Sequence, residues 1–295
     1  MKRWNVNVNM PETKNIVWLA SYPKSGNTWF RVFLSNLFSE SSEPADINNL
    51  YQTPIASARQ PFDEATGLPS SDMTFEEVDW LRPEVYRYQA KKAADIQFRK
   101  VHDAYTCLDD GSPLFPPDVS KVVIYFIRNP LDVLISFAHH SATKPENMIE
   151  VLNDPEKAFG RSPKRLFNQL RQKLSTWSGH VTSWVDQNEI PVHVMRYEDM
   201  CRNPFSVFGE ALQFLGLTEN EEKIKEALNK SDLSVLQEQE KQHGFQEKMI
   251  KADSFFRKGR PGEWREVLTE AQVKTVVNEH KEVMKRFGYL DGDLY

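Results

Sequence analysis

The sequence predicts an α/β fold, a single domain over residues 1–295 with a central parallel sheet flanked by helices. Two observations carry this. Three short apolar runs, residues 16–20, 122–127 and 191–197, are rich in β-branched and aromatic side chains, and each leads into a turn and a helical pattern. These runs are continuously apolar instead of alternating, as in strands covered on both faces. Strands that alternate with helices build doubly wound sheets, whose ligands sit beyond the carboxyl ends of the strands.

The first run, Ile16-Val17-Trp18-Leu19-Ala20, is followed by Ser21-Tyr22-Pro23-Lys24-Ser25-Gly26-Asn27-Thr28-Trp29 and then by a helical stretch from Phe30 to Leu34. A strand, a tight loop with Lys, Ser, Gly and Thr, and a helix start together form a phosphate cradle. Backbone N–H groups and the helix N-terminus face the anion, and the lysine adds a full charge. The common nucleotide loop places its lysine after the second glycine of G-x-x-x-x-G-K-[ST]. Here Lys24 precedes Gly26 by two residues, and no glycine lies four or five residues before it. An ordinary ATPase or GTPase is disfavoured.

Residues 40–84 are rich in Ser, Pro, Asn and Asp and carry ten acidic residues against two basic ones, Arg59 and Arg82. They read as a solvated, partly irregular insertion, or as a lid or wall of an acceptor pocket. The segment Phe98-Arg99-Lys100-Val101-His102-Asp103 alternates apolar and polar residues and reads as a strand end with His102 at its tip. Lys100, two residues back, points to the same side as His102, and Asp103 to the other.

The second run ends in Arg128-Asn129-Pro130, an N-cap residue and a first-turn proline ahead of a helix from Leu131 to His140. Arg128 is thereby placed at the sheet edge beside a helix start, where its fork suits a phosphate, and Ser136 follows two turns along. Residues 148–170 are polar loop and helix. From 171 to 184 a helical pattern returns, with Leu174, Trp177, Val181 and Trp184 spaced by three and four as a core stripe. Near the C-terminus, Phe255-Phe256-Arg257-Lys258-Gly259-Arg260-Pro261-Gly262-Glu263-Trp264 is a basic, glycine-containing turn able to gather N–H groups and guanidinium around a polyanion. A last helix begins after Thr269, which forms a capping box with Gln272, and ends by Gly288.

Composition narrows the function. At 40 % hydrophobic and 27 % charged residues the chain can bury a sizeable core. A net charge of −5 argues against bulk nucleic-acid binding, which asks for a basic surface. Two cysteines distant in sequence, Cys107 and Cys201, fit a reducing compartment better than a disulfide framework. The basic segment Met1–Asn7 leads into no apolar h-region, and no apolar run reaches the ~20 residues needed to span a bilayer. A cytoplasmic protein without membrane span is expected.

Taken together, these segments resemble the sulfotransferases that use 3′-phosphoadenosine 5′-phosphosulfate (PAPS) as donor, in particular the cytosolic type. Tyr22 to Trp29 is similar to that family's 5′-phosphosulfate loop, and Tyr125-Phe126-Ile127-Arg128-Asn129-Pro130 through Ser136 to its 3′-phosphate motif. Arg257 to Trp264 resembles its R-K-G-x-x-G-D-W loop, with Glu263 in place of Asp. Arg196-Tyr197-Glu198-Asp199-Met200 with Asn203-Pro204 matches its Y-E-D-x-x-x-x-P segment, and Lys100-Val101-His102 its K-T-H segment.

The resemblance implies roles. Lys24 and the backbone of Ser25, Gly26, Asn27 and Thr28 would hold the 5′-phosphosulfate, with Lys24 at the bridging oxygen. Trp29 would stack on adenine and Tyr197 would contact the adenine side. Arg128, Ser136, Arg257, Lys258 and Gly259 would bind the 3′-phosphate, and Ser231 and Leu233 would stand at the family's adenine contacts. His102 would be the general base, with Lys24, Lys100 and Ser136 assisting at the leaving group. The reaction implied is transfer of sulfonate to a hydroxyl or amine of a small-molecule acceptor, releasing 3′-phosphoadenosine 5′-phosphate (PAP), without a metal. Its competitors are a P-loop kinase or NTPase and a non-catalytic nucleotide-binding protein of the same fold. The family's dimer segment, K-x-x-x-T-V-x-x-x-E, falls at residues 265–274, where Arg265, Thr269, Glu270 and Lys274 stand. Monomer and homodimer both stay open.

Overall fold

Four strands hydrogen-bond side by side in parallel, in the order β2 (Gln97–Val101), β1 (Ile16–Ser21), β3 (Ser120–Ile127), β6 (Val192–Arg196). This computed structural model describes residues 14–50, 52–162 and 165–290. The basic segment at residues 1–7 lies outside them. All three predicted strands are present, and the alternating segment ahead of His102 is a full edge strand. A second, two-stranded sheet pairs β4 (Ala158–Phe159) with β5 (Gln172–Lys173).

Every side chain of β1 is buried, and alternation sends them to two different cores. Ile16, Trp18 and Ala20 join Tyr86, Phe115, Trp177 and Trp184 on one face; Val17 and Leu19 join Phe30, Phe33, Phe208 and Leu212 on the other. Coverage of both faces is why the run is continuously apolar. Trp18 anchors the first face. It meets Tyr86 and Phe115 edge-on, each at 5.0 Å between centroids, and its indole N–H donates to Ser120 Oγ at 2.7 Å.

The helices, in chain order, are α1 (Asn27–Leu37), α2 (Arg59–Thr66), α3 (Phe75–Lys92), α4 (Pro130–His140), α5 (Pro145–Asn153) and α6 (Trp177–Val185). There follow α7 (Tyr197–Arg202), α8 (Pro204–Leu215), α9 (Glu221–Lys230), α10 (Leu233–His243), α11 (Trp264–Val267) and α12 (Glu270–Arg286). The predicted caps are formed. Asn129 Oδ1 accepts from the Leu131 N–H at 3.0 Å ahead of Pro130, and Thr269 and Gln272 close a capping box. None of the helices among the described residues is long and apolar enough to cross a membrane.

Two expectations are corrected. The acidic segment 40–84 is not chiefly solvated and irregular. It contains α2 and the start of α3, and its only two basic residues are engaged: Arg59 Nε donates to the Phe167 carbonyl and Arg82 is 1 % exposed. Arg82 makes a two-pronged pair with Asp103, both N–H···O distances 2.9 Å, deep under the sheet edge. Hydrophobic patterning alone could not find it, because a charge enters a core only where another segment supplies the partner. The helical pattern from 171 is also shorter than read. Gln172 and Lys173 pair in β5, Ser175 takes a left-handed φ of 61°, and Thr176 caps α6 by accepting from the Gly179 N–H at 2.9 Å.

Strand register sets the site. Ala20 pairs with Val101, Ser21 with Phe126 and Ile127 with Arg196. The chain therefore leaves the sheet at the same edge four times, through Tyr22, His102, Arg128 and Tyr197.

Candidate active site

The loop after β1 is shaped by two left-handed residues. Lys24 has φ 71° and Gly26 φ 105°. Gly26 is the N-cap of α1 and provides no side chain to cap it, so the first N–H groups of the helix are left to an anion. The glycine is required twice over, since a Cβ there would lie 2.9 Å from Tyr197 Cδ2 in a backbone region that L side chains rarely adopt. Gly26→Ala should lower stability by about 1–2 kcal/mol and weaken PAP binding by displacing Tyr197. Melting and PAP titration check it; a variant with unchanged melting and unchanged affinity overturns the account.

Asn27 turns its side chain inward, donating to the Leu19 carbonyl at 2.7 Å and to Ser21 Oγ at 3.3 Å. That leaves its backbone, not its amide, for the ligand. Ser25 is buried with its Oγ unpartnered, as are Trp29 Nε1 and Arg128 Nε. Arg128 grips the loop by donating from Nη1 to the Lys24 carbonyl at 3.2 Å, and its guanidinium lies 4.3 Å from the centre of the Tyr197 ring. Trp29 stands edge-on to Tyr197 at 6.4 Å and to Phe208 at 5.2 Å. The loop, Arg128, Tyr197 and Trp29 thus form one assembly spanning the ends of β1, β3 and β6.

The basic C-terminal loop is tied to the same edge. Asp132, in the first turn of α4 and 2 % exposed, accepts from the N–H groups of Gly262 at 2.7 Å and Trp264 at 3.2 Å. Arg257 donates from both Nη atoms to Glu263, each at 2.6 Å. That uses two of its five N–H bonds and leaves three for a phosphate. Lys258 pairs with Glu266 at 3.1 Å. Gly259, at φ 59°, packs so tightly on Leu233 that a Cβ would come within 2.5 Å of it. Leu233 is therefore a support under the loop. Ser231 is fully buried, donates to the Ala227 carbonyl at 2.7 Å and accepts from Asn36 at 3.0 Å, so its hydroxyl is engaged at a helix junction. Ser136 lies partly exposed on α4.

His102 follows β2. Its Nδ1 lies 2.9 Å from the Ser21 carbonyl. A carbonyl only accepts, so Nδ1 carries the proton and Nε2 keeps its lone pair. Behind it, Tyr125 Oη donates to His180 Nδ1 at 2.8 Å, and His180 Nε2 donates to the His102 carbonyl at 3.1 Å. Burial is the largest cause that pushes the His102 pKa down, with the Lys100 charge next, to about 3. The ring is neutral at neutral pH. Asp103 faces away, as strand alternation predicts, into its pair with Arg82.

Lys100 is 9 % exposed and donates to Glu247 Oε2 at 2.8 Å; Arg31 of α1 donates to Glu247 Oε1 at 2.7 Å. No local pattern pointed to Glu247, which reaches Lys100 across 147 residues. Lys24 Nζ sits 3.6 Å above the Phe255 ring. Burial first, and then the charges of Arg128 and Lys100, bring the Lys24 pKa down to about 7. Like charges held this close disfavour the protonated lysine, and an anion placed among them would restore it.

A groove of about 710 Å³ runs between residues 43–46 and α10, with no Lys or Arg in its lining. A smaller one of about 380 Å³ is lined by Glu198, Cys201, Arg202, Gly259, Arg260 and Pro261, beside the basic loop. The site follows the cations. Among the described residues no three His, Cys, Asp or Glu side chains are grouped to hold a metal ion.

Residues 14–288 match the sulfotransferase domain family. The chain belongs to that family. Sulfotransferase 1A1 of Rattus norvegicus is 27 % identical over 270 residues, covering 86 % of this chain and 79 % of the relative. Luciferin sulfotransferase of Photinus pyralis is 23 % identical, covering 86 % and 68 %. Among solved structures, mouse sulfotransferase SULT7A1 complexed with PAP superposes with TM-score 0.60 at 18 % identity, covering 94 % of this chain and 86 % of that one. Retinol dehydratase in complex with androsterone and inactive cofactor PAP gives 0.59 at 22 %, covering 97 % and 84 %. The likeness in structure is one of fold. As a sulfotransferase, the chain is an enzyme of the PAPS-dependent family whose motifs it carries in order.

Proposed function

We propose that this sulfotransferase moves sulfonate from PAPS to a hydroxyl or amine of a small-molecule acceptor, with His102 as general base. One observation carries the reading: a neutral imidazole with a free Nε2 and the cation-rich loop around Lys24 meet at adjacent strand ends, with Nδ1–H of His102 anchored on the carbonyl of Ser21.

The residues fit the donor. Lys24 and the N–H groups at the start of α1 suit a 5′-phosphosulfate. The remaining donors of Arg128, Arg257 and Lys258, the backbone of Gly259, and Ser136 suit a 3′-phosphate. Trp29 and Tyr197 supply aromatic surface for adenine. PAPS supplies a sulfonate on a phosphate leaving group. As the acceptor oxygen bonds to sulfur, its proton passes to His102 Nε2, and the electron pair of the broken S–O bond stays with the phosphate oxygen, where Lys24 meets the growing charge. Lys100, held by Glu247, adds a second cation on the His102 side. In-line displacement of this kind asks chiefly for positioning and charge.

A kinase or NTPase reading has no support in the loop, whose lysine precedes its glycine. Incubating the protein with PAPS and an acceptor panel, and looking by mass spectrometry for an added SO₃ group, tests the proposal. PAP should raise the melting temperature and ATP with Mg²⁺ should not; the opposite pattern overturns it. Both cysteines are free, in keeping with the reducing, cytoplasmic setting we propose.

Lys24 makes donor binding depend on pH. Its pKa lies near 7 in the free protein, and a bound anion holds it charged. Below pH 7 the ammonium is already present, so its contribution is full. Above pH 7 a proton must be taken up on binding, and PAP affinity should fall by up to about tenfold per pH unit. Titrations between pH 7 and 9 on wild type and Lys24→Met check this. A variant that keeps the wild-type slope refutes the assignment to Lys24.

A further inference from the structure

α4 ends on a histidine that the donor-site reading leaves unused. His140 lies four residues beyond Ser136, on the same face of the helix. Its ring meets Phe255 edge-on, with centroids 5.7 Å apart and planes at 87°. The face of that same Phe255 carries the Lys24 ammonium at 3.6 Å. A single aromatic ring therefore touches both His140 and the lysine assigned to the sulfonate end.

The charges that reach His140 are those of the reaction centre. Burial first, then Lys24 and Lys100, push its pKa down to about 3, with Glu247 opposing and His139 adding to the fall. The imidazole is neutral under working conditions, able to donate from one nitrogen and accept at the other. Its Nδ1 is buried and has no hydrogen-bond partner in the protein. Buried polar atoms without partners are uncommon and ask for an explanation. Ser25 Oγ, Trp29 Nε1 and Arg128 Nε are in the same condition, on residues of the donor site. His140 is tied to that site through Phe255.

We propose that His140 is a specificity-determining residue of the acceptor site, which hydrogen-bonds through Nδ1 to a second polar group on the acceptor. The acceptor class is then a small alcohol or phenol that carries a further hydroxyl or comparable group, in preference to one with a single hydroxyl on a hydrocarbon frame. A site that buries a hydrogen-bonding group discriminates against the analogue that leaves it unpaired, whereas an apolar wall discriminates little. The inference rests on the sulfotransferase reading above.

The test uses the full chain with PAPS and two acceptors of one shape, 2-naphthol and 2,7-dihydroxynaphthalene, compared by kcat/KM per hydroxyl. Wild type should prefer the diol by about tenfold or more. His140→Leu should bring the ratio close to one, and His140→Asn, which keeps a donor and an acceptor, should restore part of it. A PAP-induced rise in melting temperature shows that each variant is folded. A ratio that is the same in wild type and His140→Leu overturns the proposal, as does a wild type that binds PAP and sulfonates neither compound. Failure of wild type to bind PAP falls instead on the sulfotransferase reading.

Discussion

His102→Gln should lower turnover of any acceptor by about 10²–10⁴-fold, the range a positioned general base contributes, while PAP still binds. Glutamine can keep a donor toward the Ser21 carbonyl but has no ring-nitrogen lone pair to take a proton. The measurement is kcat under saturating PAPS beside PAP affinity in the same preparation. Turnover near that of wild type would remove His102 from the chemistry. A parallel loss of PAP affinity would make it a binding residue.

The pH profile distinguishes the proposed base from an ordinary surface histidine. With its pKa brought to about 3 by burial and Lys100, the neutral, active form of His102 persists well below the usual 6.5. The free enzyme should show no acid limb at 6.5 from this group. The unfolded chain takes up a proton near 6.5 that the folded state refuses, so stability from this site is full above 6.5 and declines as pH falls toward 3. His140, also near 3, and His180 and His280, near 4, act in the same direction.

Arg82→Met should destabilise the protein by about 3–5 kcal/mol, the loss expected when one partner of a buried ion pair is removed. Arg82 is 1 % exposed. It holds both oxygens of Asp103 at 2.9 Å and donates to Tyr86 Oη at 3.0 Å and to the Arg171 carbonyl at 3.1 Å. Without it, Asp103 is a buried carboxylate retaining one long bond, 3.3 Å, from the Lys173 N–H. The double change Arg82→Met with Asp103→Leu should recover much of the loss, because the penalty comes from the orphaned charge. Urea unfolding of the two variants decides it. A single variant within about 1 kcal/mol of wild type would show that the pair is solvated. Activity should fall with Arg82→Met as well, since Asp103 adjoins His102 and its carbonyl accepts from Trp184 Nε1 at 2.9 Å.

Much of the site was legible because its parts are local. A loop that must take left-handed φ beside a helix start writes Lys24 and Gly26 into one stretch, and a capped helix after a strand writes Arg128-Asn129-Pro130 into another. Strand alternation was enough to set Lys100 and His102 on one side and Asp103 on the other. Local pattern did not foresee what the Ser231 hydroxyl bonds. Its place in the sequence pointed to adenine, but a hydroxyl can equally close a junction between two helices, and here Asn36 and Ala227 claim it. Residues 40–84 were opaque too, because their polarity hides a buried charge whose partner comes from another part of the chain.

By itself the sequence determined the family, the parallel α/β fold, the phosphate loop with its early lysine and the order of the strand-end motifs. Each motif among them is encoded within a dozen residues or so by turn geometry, capping and side-chain period. Only the tertiary structure decided which groups meet across the chain: Glu247 on Lys100 and Arg31, Asp132 under the basic loop, Arg82 on Asp103, His180 behind His102 and His140 against Phe255. The reason is physical. Charge pairing, desolvation and an unpartnered nitrogen depend on distances between segments far apart in sequence, and no local pattern specifies those distances.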